Sequence, residues 1–194
     1  MTKIVGLTGG IGSGKTTIAK HIKSMGIPVY IADDAAKKIL LLPETLNALK
    51  LVFGNAIFDD ELLNKDKLSK IVFNNPEMLK QLNQIVHPAV KEDFDNWLQL
   101  NENQPLVVKE AAILFESGSY KDCDVIITIV APIEERIHRV MTRDNTNSEA
   151  VLSRINNQWT DEMRIEKSDY VIENEDVNIA CAQTENILKT LSNQ

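Results

Sequence analysis

The hydrophobic pattern at the amino terminus predicts a strand, a helix and a second strand. Residues 3–7 (KIVGL) form a short run rich in β-branched side chains, which is typical of a strand, and a glycine-rich turn follows them. Residues 15–25 repeat apolar side chains at helical spacing, and Gly26 ends that pattern. Residues 29–31 predict the second strand. This order predicts two parallel strands joined by a right-handed crossover.

Helical patterns dominate the next part of the chain, residues 34–104, and prolines separate them. We interpret this part as a helical insertion between two strands of a sheet. The predicted helices cover residues 35–42, 44–53, 65–73, 77–86 and 89–100, with Pro43, Pro76 and Pro88 between them.

Strand patterns return after residue 104 and alternate with further helices. Together with the first two strands they predict an α/β fold with a five-stranded parallel sheet flanked by helices. Ser148 is the expected N-cap of one of these helices. The predicted strands are residues 106–110, 125–130 and 170–172, and the predicted helices are residues 132–143, 148–158 and 176–191.

Composition narrows the class of protein. The chain has 194 residues, with 43% hydrophobic and 25% charged residues, which fits one globular α/β domain. A net charge of −7 argues against a nucleic-acid partner, because polyanion binders are usually basic. No apolar run reaches the roughly 18 residues of a membrane span, and no signal peptide is apparent. We therefore expect a cytoplasmic protein, and a monomer is favoured. Cys123 and Cys181 are expected to be reduced core residues, and no Cys/His cluster has metal-ligand spacing.

The strongest chemical motif lies between the first predicted strand and helix. Residues 9–16 (GGIGSGKT) match the phosphate-binding loop G-x-x-x-x-G-K-[ST] without a mismatch. In such a P-loop, backbone N–H groups and the helix amino terminus surround phosphate oxygens. Lys15 reaches the terminal phosphates and the Thr16 hydroxyl is a ligand of Mg²⁺, while Thr17 can donate a further hydrogen bond. The candidate ATP-binding residues here are Gly10, Ile11, Gly12, Ser13, Gly14, Lys15, Thr16 and Thr17.

Two features favour a small-molecule kinase over a GTPase. The chain contains no N-K-x-D guanine motif. In addition, its arginines all follow residue 135, in the stretch where nucleoside-type kinases carry a closing lid. Chance placement on solvated helices is the alternative explanation for that clustering. The arginines are Arg136, Arg139, Arg143, Arg154 and Arg164.

Several other residues are candidates for the site, each with a plainer alternative. Asp33 directly follows the second strand and could accept a proton from an attacking hydroxyl, or could instead be the N-cap of the next helix. Glu110 ends the third strand and could hold Mg²⁺-bound water, or could be a solvent-facing strand end. Glu116 begins the following loop and is a weaker candidate. His87 is a lone histidine beside a proline, for which packing or capping is the usual role.

Short motifs occur along nearly the whole chain in the order of one known family, to which the chain has a close resemblance. They are residues 4–17 (IVGLTGGIGSGKTT), Ala32-Asp33, Val72-Phe73, Leu82 through His87-Pro88, residues 113–118 (ILFESG), Arg139, Arg143-Asp144, Arg154, Gln158, Arg164 and residues 169–174 (DYVIEN). This set resembles the dephospho-coenzyme A kinases. The resemblance implies transfer of the ATP γ-phosphate to the ribose 3′-hydroxyl of dephospho-coenzyme A, with Mg²⁺.

The resemblance also implies three parts. A P-loop core would comprise residues 1–33, 105–139 and 165–194. A helical substrate domain would comprise residues 34–104, and an α-helical lid residues 140–164.

Roles at the site follow from the same resemblance. Asp33 would be the catalytic base, together with Lys15 as the second catalytic residue. Arg139, Arg143 and Asn174 would contact ATP. The residues on the acceptor side would be Asp33, Lys65, His87, Glu110, Glu116 and Arg164.

The chain departs from the family pattern at four positions without losing a part that phosphoryl transfer needs. Ile31 replaces an auxiliary aspartate, Ala112 a proline, Lys65 an arginine and Asp176 a glycine. Two rival functions remain at this point: another nucleoside or metabolite kinase with a P-loop, and a regulatory protein that binds ATP without transferring phosphate. A third alternative, a non-catalytic interaction protein, is disfavoured by the intact Lys15-Thr16 pair and Asp33.

Overall fold

The computed structural model describes residues 2–73 and 75–192, which form an α/β protein with an added group of helices. The elements in chain order are β1 Lys3–Thr8, α1 Lys15–Ser24, β2 Val29–Ile31, α2 Ala32–Ile39, α3 Pro43–Phe53, β3 Phe58–Asp59, β4 Leu62–Leu63, α4 Lys65–Phe73, α5 Pro76–Gln99, β5 Leu106–Glu110, β6 Val125–Val130, α6 Ile133–Asp144, α7 Ser148–Asn156, α8 Asp161–Glu166, β7 Tyr170–Glu173 and α9 Val177–Ser192.

The chain forms two compact units. The first contains Met1–Ile31 and Leu98–Gln194, and the second is the intervening segment Ala32–Trp97. The three-part division into core, substrate domain and lid stays a prediction.

The first unit is built on one five-stranded parallel sheet, as the sequence predicts. Its strand order is β2-β5-β1-β6-β7. The central strand β1 pairs with β5 on one side, Leu7 opposite Glu110, and with β6 on the other, Thr8 opposite Thr128. Because all five strands are parallel, the segments that leave their carboxyl ends share one edge of the sheet.

Apolar side chains of the central strands are buried under two helices. Val5 and Leu7 of β1 and Ile127 and Ile129 of β6 are completely buried, which fits the apolar runs of a sheet covered by helices. Ile18, Ala19 and Ile22 of α1 and Ala180, Leu188 and Leu191 of α9 pack into the same core.

The second unit has its own small core in the α3–α4 region. The cluster contains Leu49, Phe53, Ile57, Leu68 and Val72, and partly buried residues of α5 pack against it. A cavity of about 400 Å³ lies between α2, α3 and α5 of this unit.

The predicted break between two helices at Pro88 is wrong, because α5 continues through it. It is one continuous helix of 24 residues with Pro88 inside it. Proline removes one helical hydrogen bond, but apolar packing on both sides offsets that loss, since Val86 and Phe94 of the same helix are both buried.

One further local prediction is wrong, and one element was missed. The N-cap of α7 is Asn147 and not Ser148, because the Asn147 side chain accepts a hydrogen bond from the Ala150 N–H at 2.9 Å. The β3–β4 hairpin was not predicted. Its turn residues Asp60 and Glu61 have positive φ angles of 45° and 70°, a conformation for which the sequence signal is normally glycine or asparagine.

Among the helices of the described residues, none combines the length and the apolar character required to span a lipid bilayer.

Candidate active site

The P-loop connects the end of β1 to the start of α1, as its motif predicts. Thr8, the last residue of β1, is completely buried and donates a hydrogen bond to the Ala111 carbonyl at 2.9 Å. Gly12 and Gly14 have φ angles of 81° and 98°. A Cβ atom at Gly12 would lie 2.5 Å from the Arg136 carbonyl oxygen, and one at Gly14 2.0 Å from the Asn174 Nδ2 atom. Both the backbone angles and the available space therefore require glycine.

The loop offers N–H groups to an anion. Within residues 2–73 and 75–192, the backbone N–H groups of Gly12, Gly14 and Thr16 donate no hydrogen bond to the protein. Thr16 lies in the first turn of α1, where the helix dipole favours negative charge. Lys15 is 8% exposed, and its Nζ atom lies 3.5 Å from the Gly10 carbonyl oxygen. Backbone N–H donors and an ammonium group therefore lie together in this short loop.

Helix α6 adds an arginine beside the loop. Arg139 donates a hydrogen bond through Nη2 to the Asn174 carbonyl at 3.0 Å. Its Nη1 atom is buried, has no hydrogen-bond partner among the described residues, and lies 4.0 Å from the Cβ position that Gly14 lacks. Asn174, at 3% exposure, donates through Nδ2 to the Ser13 carbonyl at 2.7 Å. A buried unsatisfied guanidinium N–H at the loop fits a phosphate oxygen as its partner.

Arg143 lies elsewhere on α6. It is exposed, and its Nε atom donates to the Asp144 carboxylate at 2.7 Å. This hydrogen bond lowers the pKa of Asp144 to about 2. Arg154 of α7 donates to the same carboxylate at 2.8 Å. The predicted contact of Arg143 with ATP stays a prediction.

Two of the predicted acceptor-side residues contact each other in the interior. Arg164 is completely buried and donates to Glu116 at 3.1 Å, and its Nη1 atom also lies 3.4 Å from Asp161. Burial lowers the pKa of Arg164, while the two carboxylates oppose that shift. Trp159 stacks on Phe115, with ring centroids 5.3 Å apart and an interplanar angle of 4°, so its ring serves packing. Glu116 accepts a hydrogen bond from the Trp159 N–H at 2.9 Å.

Glu110 is buried at the sheet edge. It is the last residue of β5, is 4% exposed, and lies opposite Leu7 and Ile31 in the strand register. A strand-end carboxylate that reaches solvent is therefore the wrong description. Its predicted role on the acceptor side stays a prediction.

Three predicted residues lie in the second unit. Asp33 is exposed and is the second residue of α2, which begins at Ala32, so it lies in the first turn of the helix and is not its N-cap. Lys65 is the exposed first residue of α4. His87 lies within α5, and burial lowers its pKa, which leaves the ring neutral at pH 7.

The start of α1 supplies a hydroxyl that could hold Mg²⁺. Within the described residues, no group of three or more His, Cys, Asp or Glu side chains is arranged to hold a metal ion. The exposed Thr16 hydroxyl at the start of α1 fits the usual Mg²⁺ ligand of a P-loop, where substrate phosphates and water complete the coordination.

Two residues that touch the loop received no site role from the sequence. Arg136 donates through Nε to the Ile11 carbonyl, and Gln158 accepts a hydrogen bond from the Ile11 N–H, both at 2.9 Å. The helical period offered one signal, because Arg136 and Arg139 are three residues apart and share a face of α6. For Gln158 only its place in a family motif was available.

Comparisons with known proteins show which family the chain is similar to. The family model described as dephospho-CoA kinase matches residues 3–179. The dephospho-CoA kinase of Bacteroides fragilis strain YCH46 is 38% identical over 172 residues, which cover 88% of this chain and 84% of the relative.

Two solved structures extend the likeness to three dimensions. The crystal structure of a Thermus thermophilus protein has a TM-score of 0.87 and 34% identity, and the match covers 98% of this chain and 96% of the other. The dephospho-CoA kinase from Campylobacter jejuni has a TM-score of 0.74 and 26% identity, with 100% and 98% covered. With its intact P-loop and a family match over residues 3–179, the chain belongs to the dephospho-CoA kinase family.

Proposed function

We propose that this protein transfers the γ-phosphate of ATP to the ribose 3′-hydroxyl of dephospho-coenzyme A, which yields coenzyme A and ADP. The observation that carries the proposal is a P-loop in a chain whose family match covers residues 3–179. The N–H groups of Gly12, Gly14 and Thr16 in this loop have no hydrogen-bond partner among the described residues. This reaction is the last step of coenzyme A synthesis.

The loop and its neighbours would bind the triphosphate of ATP. The N–H groups of Gly12, Gly14 and Thr16 and the ammonium group of Lys15 match the negative charge of the β- and γ-phosphates. The Nη1 atom of Arg139 supplies a further donor, and its hydrogen bond to the Asn174 carbonyl fixes the orientation of the guanidinium. Because phosphoryl transfer needs little covalent work from the protein, these positioned charges account for most of the expected catalysis.

Thr16 would be the protein ligand of Mg²⁺, which when bound neutralises charge on the transferred phosphate.

We place the acceptor hydroxyl beside Asp33. Strand β2 ends at Ile31, opposite Glu110 of β5, and Asp33 follows two residues later along the chain. A carboxylate in this place can orient the hydroxyl and accept its proton. Lys65 and His87 are proposed to contact the acceptor from the helical unit, His87 as a neutral ring. Glu110, Glu116 and Arg164 are proposed to shape the acceptor side from buried positions.

We also propose a monomer that works in the cytoplasm. Both cysteines are free thiols, as is usual for proteins of a reducing compartment. Sedimentation velocity should show one species near 21.8 kDa.

The test is a coupled ADP-release assay with dephospho-coenzyme A, adenosine, shikimate and uridine as separate acceptors. We expect acceptor-dependent ADP release with dephospho-coenzyme A to exceed the other three at least about a hundredfold in kcat/KM, because the rivals lack its diphosphate and pantetheine contacts. Phosphorus NMR of the product should show a 3′-phosphomonoester. An equal or higher kcat/KM with another acceptor would indicate a different kinase activity. ATP binding without any acceptor-dependent ADP release would indicate a regulatory protein.

A further inference from the structure

We infer that Gln158 and Arg136 are positioning residues of the P-loop, which fix the two peptide groups on either side of Ile11. The inference rests on the proposed ATP-binding role of the loop. Neither side chain belongs to the loop itself, and the Gln158 contact joins residues 147 positions apart in the sequence.

The first fixed peptide group joins Ile11 to Gly12. Arg136 Nε donates to the Ile11 carbonyl oxygen at 2.9 Å. In a planar trans peptide the carbonyl oxygen and the following N–H point in opposite directions. The contact with Arg136 therefore turns the Gly12 N–H away from α6. That N–H is one of those without a protein partner among the described residues, so it is available for a phosphate oxygen.

The second fixed peptide group joins Gly10 to Ile11. The Ile11 N–H donates to Gln158 Oε1 at 2.9 Å, so the Gly10 carbonyl points the opposite way. There it accepts a hydrogen bond from the Ser13 N–H at 3.1 Å and lies 3.5 Å from Lys15 Nζ. Gln158 thus acts on the curvature of the loop and on the placement of its lysine.

Arg136 is itself held firmly. It is 5% exposed, and its Nη1 atom donates to Asp161 at 2.8 Å. Asp161 in turn lies 3.4 Å from the buried Arg164. The guanidinium and Gln158 therefore both reach the loop from a part of the chain that buried ion pairs stabilise.

The same contact explains a glycine that the P-loop motif does not require. Gly10 occupies a variable position of G-x-x-x-x-G-K-[ST]. A Cβ atom at Gly10 would lie 2.1 Å from Arg136 Nη2. Alanine at this position would displace the guanidinium that orients the Gly12 N–H.

The test begins with Gln158→Met, which keeps the size of the side chain and removes the acceptor oxygen. In the full-length protein without acceptor, we expect the dissociation constant of Mg-ADP to be about five- to tenfold higher than in the wild type. This is the change that loss of one hydrogen bond usually causes. The amide proton of Ile11 should lose its protection from hydrogen exchange. Gln158→Glu keeps an acceptor oxygen and should retain that protection. The matched control is Gln183→Met, an exposed glutamine of α9, which should bind Mg-ADP as the wild type does.

Gly10→Ala provides an independent variant that leaves both side chains intact. In steady-state assays we expect it to raise the KM for ATP about tenfold while the KM for dephospho-coenzyme A changes less than about twofold, since the loop is proposed to bind only the nucleotide. Unchanged Mg-ADP affinity in both Gln158→Met and Gly10→Ala, or equal rises in the two KM values, would overturn the positioning role. A wild type that binds Mg-ADP but phosphorylates no dephospho-coenzyme A would remove the proposed function and leave this inference in place.

Discussion

At the scale of single residues, burial decides what an arginine does. A guanidinium fork matches a carboxylate as well as a phosphate, so residue type alone does not separate the two roles. Arg164 is completely buried and is compensated by Glu116 and Asp161, although its Nε atom has no hydrogen-bond partner among the described residues. Arg139 also keeps one buried N–H without such a partner, and this group lies beside Gly14 of the P-loop. Removal of both carboxylates would leave the buried charge of Arg164 unpaired, which is strongly destabilising. What distinguishes Arg139 is that its unused donor lies at the P-loop, where a phosphate is expected.

The catalytic role of one carboxylate can be tested against its neighbour. We expect Asp33→Ala to lower kcat at least about a hundredfold, because loss of a general base usually has an effect of that size. Asp34→Ala is the matched control. Asp34 is also exposed in α2 but forms a surface ion pair with Lys37 at 2.9 Å, which contributes little to stability. Because Asp34 has no proposed part in the reaction, its loss should change kcat less than about twofold. ADP release at saturating substrates measures both. A folded Asp33→Ala protein with wild-type turnover would exclude Asp33 from the mechanism.

At the scale of elements, α6 supplies side chains to two different places. Arg136 and Arg139 are one helical turn apart and both face the P-loop region, where they contact Ile11 and Asn174. The last turn carries Arg143, and Asn145 ends the helix in the left-handed conformation with φ 48°. An ion-pair group at this end joins α6 to α7 through Asp144.

The stability of the junction between α6 and α7 should fall at acid pH. Asp144 has an ordinary pKa of 3.8, and its hydrogen bond with Arg143 lowers the folded value to about 2. As the pH falls, Asp144 therefore binds a proton in the unfolded chain before it does so in the folded protein. The contribution of ionised Asp144 to the free energy of unfolding is complete above pH 3.8 and is lost as the pH falls through about 2. Carboxyl NMR titration of Asp144 measures the midpoint. Arg143→Gln should move it back toward 3.8. A wild-type midpoint already at the ordinary value would contradict the ion-pair group.

At the scale of the whole molecule, strand order places the P-loop. Strand β1 lies in the centre of the sheet, with β5 and β2 on one side and β6 and β7 on the other. The chain thus passes from one side of β1 to the other between β5 and β6. In open α/β sheets, ligands bind outside the carboxyl ends of the strands where the order reverses, and the loop after β1 occupies that position.

The core between the sheet and α9 should dominate the stability of the first unit, Met1–Ile31 and Leu98–Gln194. Leu188 of α9 is 1% exposed, and Leu100 is 86% exposed. We expect Leu188→Ala to lower the free energy of unfolding by about 2–5 kcal/mol, through lost burial and the cavity left behind. The matched change Leu100→Ala should stay within about 0.5 kcal/mol of the wild type. Urea denaturation measures both. Similar losses for the two variants would show that Leu188 does not belong to a close-packed core.

Local sequence determines the elements where one short-range signal is sufficient. Apolar runs predict all five strands of the large sheet, and the P-loop follows from its spacing of glycines, lysine and threonine. Pattern reasoning fails where packing outweighs a local preference. Pro88 stays inside a continuous helix, and the turn of the β3–β4 hairpin uses Asp60 and Glu61 where glycine is the usual signal.

Tertiary structure alone decides which distant side chains meet. Residue type and local pattern do not separate Arg136, Arg139 and Arg164, and only the family resemblance assigned Arg139 to ATP and Arg164 to the acceptor side. Folding buries Arg164 among carboxylates, turns Arg136 to the Ile11 carbonyl, and leaves an Arg139 N–H beside Gly14. The physical reason is that a phosphate-binding loop is recognised from contiguous residues. The hydrogen bonds that orient its peptide groups come from residues more than a hundred positions away, and no local pattern encodes those contacts.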